Sequence, residues 1–127
     1  MLPKQARLKS NRRFRMVYSS GRSFVEACLV LHVLPLKEEP EALQIGFSVS
    51  KKVGNAVTRN RIKRRLRALC QKYLKDLPKG HLLVFVARKR AVEMDHEKLD
   101  RCLRKALTNA KLLNKEDAGL VLPPPSL

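Results

Sequence analysis

The chain contains no tryptophan, and its two tyrosines and four phenylalanines make up only 5% of 127 residues. So few rings argue against a sheet that holds RNA by stacking successive bases, which needs several exposed aromatics on adjacent strands. Cysteine is scarce too. Cys28, Cys70 and Cys102 are odd in number and far apart, a spacing that supports neither a disulfide framework nor a zinc knuckle and that fits a reducing cytoplasm. No apolar stretch reaches the length of a membrane span, and the basic start Met1-Leu2-Pro3-Lys4-Gln5-Ala6-Arg7 precedes no apolar run of signal length. A soluble, unexported protein is therefore expected.

Negative charge is the deepest deficit. Against 28 Lys and Arg stand 11 Asp and Glu, a formal net charge of +17, and no acid occurs before Glu26 or between Glu41 and Asp76. The acids fall in a turn (Glu38, Glu39, Glu41), a late helical segment (Asp95, Glu97, Asp100) and the tail (Glu116, Asp117). His32, His81 and His96 have no ligand spacing, and Gly54 stands outside any phosphate-loop pattern. A protein nuclease or phosphotransferase would need a carboxylate cluster, a His pair or an activated nucleophile. The chain reads instead as a binder with no catalytic residue and no metal site of its own. Its positive excess is far beyond what solubility requires, so a nucleic acid or an anionic surface is the expected partner.

The cations concentrate in Lys51-Lys52-Val53-Gly54-Asn55-Ala56-Val57-Thr58-Arg59-Asn60-Arg61-Ile62-Lys63-Arg64-Arg65-Leu66-Arg67. From Ile62 the apolar residues recur at Leu66, Leu69 and Tyr73, which puts them on one side of a helix running from about Val57 to about Lys75. Asn60, Arg61, Arg64, Arg67, Lys72 and Lys75 fall away from that stripe, with Arg59 and Arg65 flanking it. Gly54 allows an unusual backbone turn before the helix, and Asn55 or Thr58 can cap it. The free N–H groups of the first turn favour a phosphate nearby. A face kept only for solubility would mix both signs.

Lys4, Arg7, Lys9, Arg12, Arg13, Arg15 and Arg22 make the N-terminal end a second cationic region. Ser10 or Asn11 can cap a short helix ending near Gly21, with Phe14 and Tyr18 on one side; Phe14 can be core or ligand contact, or both at the rim of a basic groove. Phe24 to Leu34 reads as one strand, with Ala27, Leu29, Leu31 and Val33 on one side and Phe24, Glu26, Cys28, Val30, His32 and Leu34 on the other. His32 interrupts its row; a lone His there is more often packed or hydrogen-bonded than catalytic. After a turn over 35–40, Leu43, Ile45, Phe47 and Val49 alternate with Gln44, Gly46, Ser48 and Ser50, so a hairpin is expected, and its small polar residues allow another backbone or helix to approach. His81 to Ala87 is a short apolar run, the pattern of a central strand, and strand–helix–strand order suggests parallel pairing of the second and third strands. A last helix from about Asp95, with Leu99, Cys102, Leu103, Ala106, Ala110 and Leu113 in period, should cover the sheet. Residues 1–127 form one domain ordered over about 7–113, and the proline-bearing tail, about 114–127, is expected to be disordered.

Gly46-Phe-Ser-Val-Ser-Lys-Lys-Val-Gly-Asn-Ala-Val-Thr-Arg-Asn-Arg-Ile-Lys-Arg-Arg-Leu-Arg67 closely resembles the signature of the bacterial ribonuclease P protein subunit family. Arg7-Leu8-Lys9 leading to Phe14, Gly21-Arg22-Ser23-Phe24, and Val84 to Arg88 are similar to further parts of its pattern, and the match spans about 7–113. The resemblance implies an α/β fold of α+β, two-layer type, ribosomal protein S5 domain 2-like. It would comprise an N-terminal helix, a mixed sheet of three to four strands, a basic central helix in a left-handed βαβ crossover and a C-terminal helix. It implies a cytoplasmic tRNA-processing ribonucleoprotein in which a catalytic RNA uses Mg²⁺ to hydrolyse the 5′ leader from precursor tRNA, the protein breaking no bond. Its partners would be the catalytic RNA and precursor tRNA, with neither membrane nor DNA. Carried over, Lys51, Lys52, Asn55, Arg59, Asn60, Arg61, Lys63, Arg64 and Arg67 would dock on the catalytic RNA. Phe14, Tyr18 and His32, with Ser48 and Ser50 on the open strand face, would hold the leader. Where the family often has an aromatic late in the first strand, this chain has His32, whose imidazole stacks less strongly than a tyrosine.

Three rivals share some of these features. A ribosomal or other structural RNA-binding protein would have the charge and size without a processing role. A DNA-binding regulator would carry its basic helix after another helix and a short turn, whereas here it follows a strand pattern. A protein-only nuclease lacks its carboxylates.

Overall fold

A computed structural model describes residues 3–113; the expected disorder of the tail falls on residues outside it. The elements run α1 (Asn11–Ser20), β1 (Arg22–Val25), β2 (Leu29–Pro35), β3 (Leu43–Ser48), α2 (Ala56–Tyr73), β4 (His81–Ala87) and α3 (His96–Asn109). The capping signals act as their chemistry dictates. Ser10 Oγ accepts from Arg13 N, Asn55 Oδ1 from Thr58 N and Asp95 Oδ1 from Lys98 N, each satisfying an N–H that the first helical turn leaves open.

The four strands form one mixed sheet in the order β1-β2-β4-β3. β4 pairs antiparallel with β2 and parallel with β3, and Leu82, Leu83, Val84 and Phe85 are fully buried. That continuous apolar run has no side to give to water, so it takes the centre of the sheet. The expected hairpin between the Phe24–Leu34 segment and the run from Leu43 is therefore not formed: β4 lies between β2 and β3, joined to β3 through α2 in a βαβ crossover, in the parallel pairing the strand–helix–strand order suggests.

The expected single strand over Phe24–Leu34 is two strands. Glu26 N donates to Leu29 O at 2.8 Å, and the chain folds back so that Arg22 faces Val33 and Val25 faces Val30. Phe24 thereby pairs with Leu31 and joins the side of Leu29, Leu31 and Val33, the reverse of the face its spacing implies. Alternation continues through a tight hairpin, so the pattern alone cannot reveal the reversal.

One sheet face carries Leu31, Val33, Ile45, Leu83 and Phe85 and packs against Ile62, Leu66, Leu69 and Tyr73 of α2 and Leu99, Leu103, Ala106 and Leu107 of α3. These two layers hold the main core. On the opposite face α1 covers one end only, burying Val17 with Leu8, Leu82 and Val84. Between α2 and α3, Tyr73 Oη donates to Asp100 Oδ1 at 2.6 Å; burial first, then that carboxylate, holds the phenol well above its usual range. Burial likewise raises the Cys70 thiol.

The structure also overturns the reading of the cysteines as unpaired: Cys28 and Cys102 form a disulfide across 74 residues of sequence. Their separation along the chain says nothing of their separation in space, and packing of α3 beside the β1–β2 turn brings them together.

Leu66 sits at full burial where α2 meets the sheet. Leu66→Ala is expected to cost about 2–5 kcal/mol through lost contact and residual cavity, read as a lowered midpoint in urea unfolding with an unchanged slope.

Candidate nucleic-acid interface

α2 packs on the sheet through Ile62, Leu66, Leu69, Cys70 and Tyr73, and this fixes which side chains face outward. Asn60, Arg61 and Arg64 are exposed, while Arg59, Lys63 and Arg67 are half-buried with their stems along the protein. Ahead of the helix, Val53 N donates to Ser50 O at 3.1 Å, closing a turn whose central residues, Lys51 and Lys52, are exposed while Val53 is buried. Among the described residues, Lys51, Lys52, Arg61, Lys63, Arg64 and Arg67 have no acidic partner.

Members of the basic segment also serve the scaffold. Arg65 Nη2 donates to Met94 O at 2.7 Å, anchoring the approach to α3, and Arg59 Nη1 donates to Gly54 O at 3.3 Å, bracing the loop. Asn55 spends its carbonyl on the helix cap. Gly54 does not have a positive φ; the turn before the helix favours glycine there because a Cβ would come within 2.9 Å of the Thr58 side chain.

Beyond the row of Leu34, Leu82 and Gln44 at the end α1 covers, the sheet face away from α2 holds two further cross-strand rows. In the first, Ser23, His32, Val84 and Gly46 lie side by side; in the second, Val25, Val30, Val86 and Ser48. α1 walls the first row. The Phe14 ring lies over Gly46, where an added Cβ would be 2.5 Å from its Cζ. Tyr18, 44% exposed, meets the His32 ring edge-on at 5.2 Å. His32 Nδ1 and Ser23 Oγ share a hydrogen bond of 3.1 Å, and partial burial lowers the imidazole pKa, favouring the neutral ring. The second row is open, with Val25 63% exposed.

Of the predicted cleft residues, Phe14, Tyr18, His32 and Ser48 converge on this surface. Ser50 does not share the strand face assigned to it: β3 ends at Ser48 and Ser50 opens the lysine turn. Val25, Val30 and Val86 were not singled out in the sequence, since only register places them beside Ser48. Lys89 and Arg90 are a further addition. They are exposed just beyond β4, and because β3 and β4 run parallel, they lie at the same end of the sheet as Lys51 and Lys52. The charge run Arg88-Lys89-Arg90 was visible in the sequence, and the expected parallel pairing was the clue to its position.

Arg67 joins the two regions. It lines a cleft of about 250 Å³ at the β3 edge together with Arg7, Lys9, Phe14, Gly46 and Phe47. Cationic helix, sheet face and N-terminal segment thus border one continuous surface. Among the described residues, no three His, Cys, Asp or Glu side chains gather where they could hold a metal ion, and no helix is long and apolar enough to cross a membrane.

The family model for Ribonuclease P matches residues 2–111. The chain is 41% identical over 108 residues to the ribonuclease P protein component of Natranaerobius thermophilus, covering 85% of this chain and 92% of that one. It is 39% identical over 102 residues to that of Bacillus cereus, covering 80% and 88%. Among solved structures, the Staphylococcus aureus RNase P protein superposes with a TM-score of 0.79 at 32% identity, covering 87% of this chain and 100% of that one. The Thermotoga maritima RNase P protein gives 0.71 at 25%, covering 81% and 96%. The arrangement of three helices on a four-stranded mixed sheet is the one these proteins share.

Two outcomes test the surface. Gly46→Ala should displace Phe14, since the added Cβ would lie 2.5 Å from its Cζ and 3.2 Å from Leu8 Cβ, read as a shifted Phe14 resonance. His32, with a folded pKa below its unfolded 6.5, binds fewer protons folded than unfolded between those values, so stability should fall as pH drops through 6.5 toward the folded value. His32→Phe should remove that part of the slope in melts recorded against pH.

Proposed function

The chain belongs to the bacterial ribonuclease P protein family and is the protein component of a tRNA-processing ribonucleoprotein, and from that premise we propose how its surface divides the work. Lys51, Lys52, Asn55, Arg59, Asn60, Arg61, Lys63, Arg64 and Arg67 dock on the catalytic RNA. Phe14, Tyr18, His32 and Ser48, extended by Val25, Val30, Val86, Lys89 and Arg90, hold the single-stranded 5′ leader of precursor tRNA, with Ser50 contributing from the lysine turn. The observation that carries this reading is a helix whose Arg61, Lys63, Arg64 and Arg67 have no acidic partner among the described residues, beside an open sheet face walled by aromatic rings.

The chemistry of each part suits its task. Guanidinium groups bond phosphates through two parallel N–H donors and stack on bases, which fits irregular RNA. Lysines at the turn add charge without that geometry. An extended leader offers unstacked bases and phosphates, so a shallow face of valines and small polar residues, edged by Tyr18 and Phe14, holds it without reading much sequence. The neutral His32 ring, fixed between Ser23 and Tyr18, adds a flat contact of lower stacking strength.

Hydrolysis is assigned to the RNA, whose Mg²⁺ ions supply an activated water and a stabilised leaving oxygen. The protein positions the substrate and screens repulsion between two polyanions, so less Mg²⁺ is required. The enzyme is in this sense an endoribonuclease leaving a 5′ phosphate on the tRNA, acting in the cytoplasm, with no catalytic residue from this chain.

Cleavage of a precursor tRNA by the purified catalytic RNA at low Mg²⁺, with and without the protein and beside a protein-alone control, tests the assignment. Strong stimulation with a silent control is expected. Equal affinity of the RNA–protein complex for precursor and mature tRNA would instead indicate a structural RNA binder. Arg61→Ala should weaken docking on the catalytic RNA by about 1–3 kcal/mol, whereas Lys63→Ala should chiefly reduce the salt dependence, by about one unit of slope.

A further inference from the structure

The β1–β2 turn is tied from two directions. From α3, Asn109 Nδ2 donates to Glu26 Oε2 at 2.9 Å, Lys105 pairs with Glu26 Oε1 at 3.7 Å, and Cys102 is bonded to Cys28. From β4, Arg88 N donates to Cys28 O and Arg88 Nη1 to Glu26 O, both at 2.8 Å. Lys89 and Arg90 follow directly. The turn is therefore the joint between α3 and the cationic end of the sheet.

The two sulfurs are not equivalent. Cys28 is fully buried, whereas Cys102 is partly exposed, and Cys28 N points at Cys102 Sγ at 3.3 Å. An N–H aimed at a sulfur favours the thiolate that attacks disulfides. The third cysteine, Cys70, is buried in the core and unbonded.

We propose that Cys28 and Cys102 are a reversible redox-modification site, exchanging with low-molecular-weight disulfides and thiols, and that the bond clamps the joint which sets Lys89 and Arg90. Cys102 thiolate attacks one sulfur of the small disulfide, breaking its S–S bond and releasing one thiolate. That thiolate takes the Cys28 proton. Cys28 sulfur then attacks Cys102 sulfur and expels the second small thiolate, which is protonated from water. Two cysteines are oxidised and one small disulfide is reduced to two thiols. Excess small thiol runs the sequence backwards. Only the effect on leader affinity rests on the function proposed above.

The test uses the intact protein in glutathione buffers from fully reduced to fully oxidised, quenched with acid and alkylated after denaturation. Mass analysis should find three alkylated cysteines in the reduced state and one, Cys70, in the oxidised state, reversibly. Three at every ratio, an unresolved glutathione adduct, or a bond involving Cys70 would overturn the proposal. The oxidised wild type should melt on the order of 10 °C above the reduced form, given a closed loop of this length. Cys102→Ser should melt with the reduced form and ignore the buffer; equal melting of the two wild-type states would remove the clamp. Oxidised protein should also bind the leader-bearing precursor, in complex with the catalytic RNA, more tightly than reduced protein. Equal affinity with the thiol chemistry intact would sever the link to Lys89 and Arg90, whereas binding in neither state would count against the function, not the redox site.

Discussion

Everything in this molecule is arranged around the burial of β4 on both faces. Leu83 and Phe85 fill the core beneath α2 and α3, while Leu82 and Val84 face Val17 and Leu8 on the other side. A strand with no side to spare for water needs hydrogen-bonded neighbours at both edges and cover above and below. β2 and β3 supply the edges, α2 and α3 one cover, and α1 part of the other. Because α1 closes only one end of its face, the second cross-strand row stays open.

The charge distribution obeys the same constraint. α2 must turn Ile62, Leu66 and Leu69 inward, so its arginines and lysines can only line the rim or point out. Arg65 becomes a tie to Met94 O and Arg13 a tie to Glu39 and Gln44, each satisfied by an acceptor that the fold brings near. The remaining cations of the segment find no acid among the described residues. Such a concentration of like charge is a standing repulsion within the folded state, relieved by a polyanion and screened by salt.

Small residues matter as much as large ones. Gly46 admits the Phe14 ring onto the sheet, and Ser23 steadies His32 against Tyr18, so the wall of the open face depends on what is absent at one position and modest at another. His32 shows how burial tunes a group: held partly out of water, it favours the neutral ring that can lie flat against a base.

The sequence by itself determined the helices, their caps, the central strand, the parallel β3–β4 pairing and the cationic face, because each rests on local chemistry: a side chain reaching an N–H three residues on, or apolar residues at a repeat of 3.6 or 2. Phe14, Tyr18, His32 and Ser48 were legible as one surface through family resemblance more than through spacing. Only the tertiary structure decided that Phe24–Leu34 is a hairpin, that β4 separates β2 from β3, that Cys28 meets Cys102, and that Val25, Val30 and Val86 share the open sheet face with Lys89 and Arg90 at its end. These depend on register and on the approach of distant segments, and a pattern that alternates through a turn, or two cysteines 74 residues apart, carries no local mark of its partner.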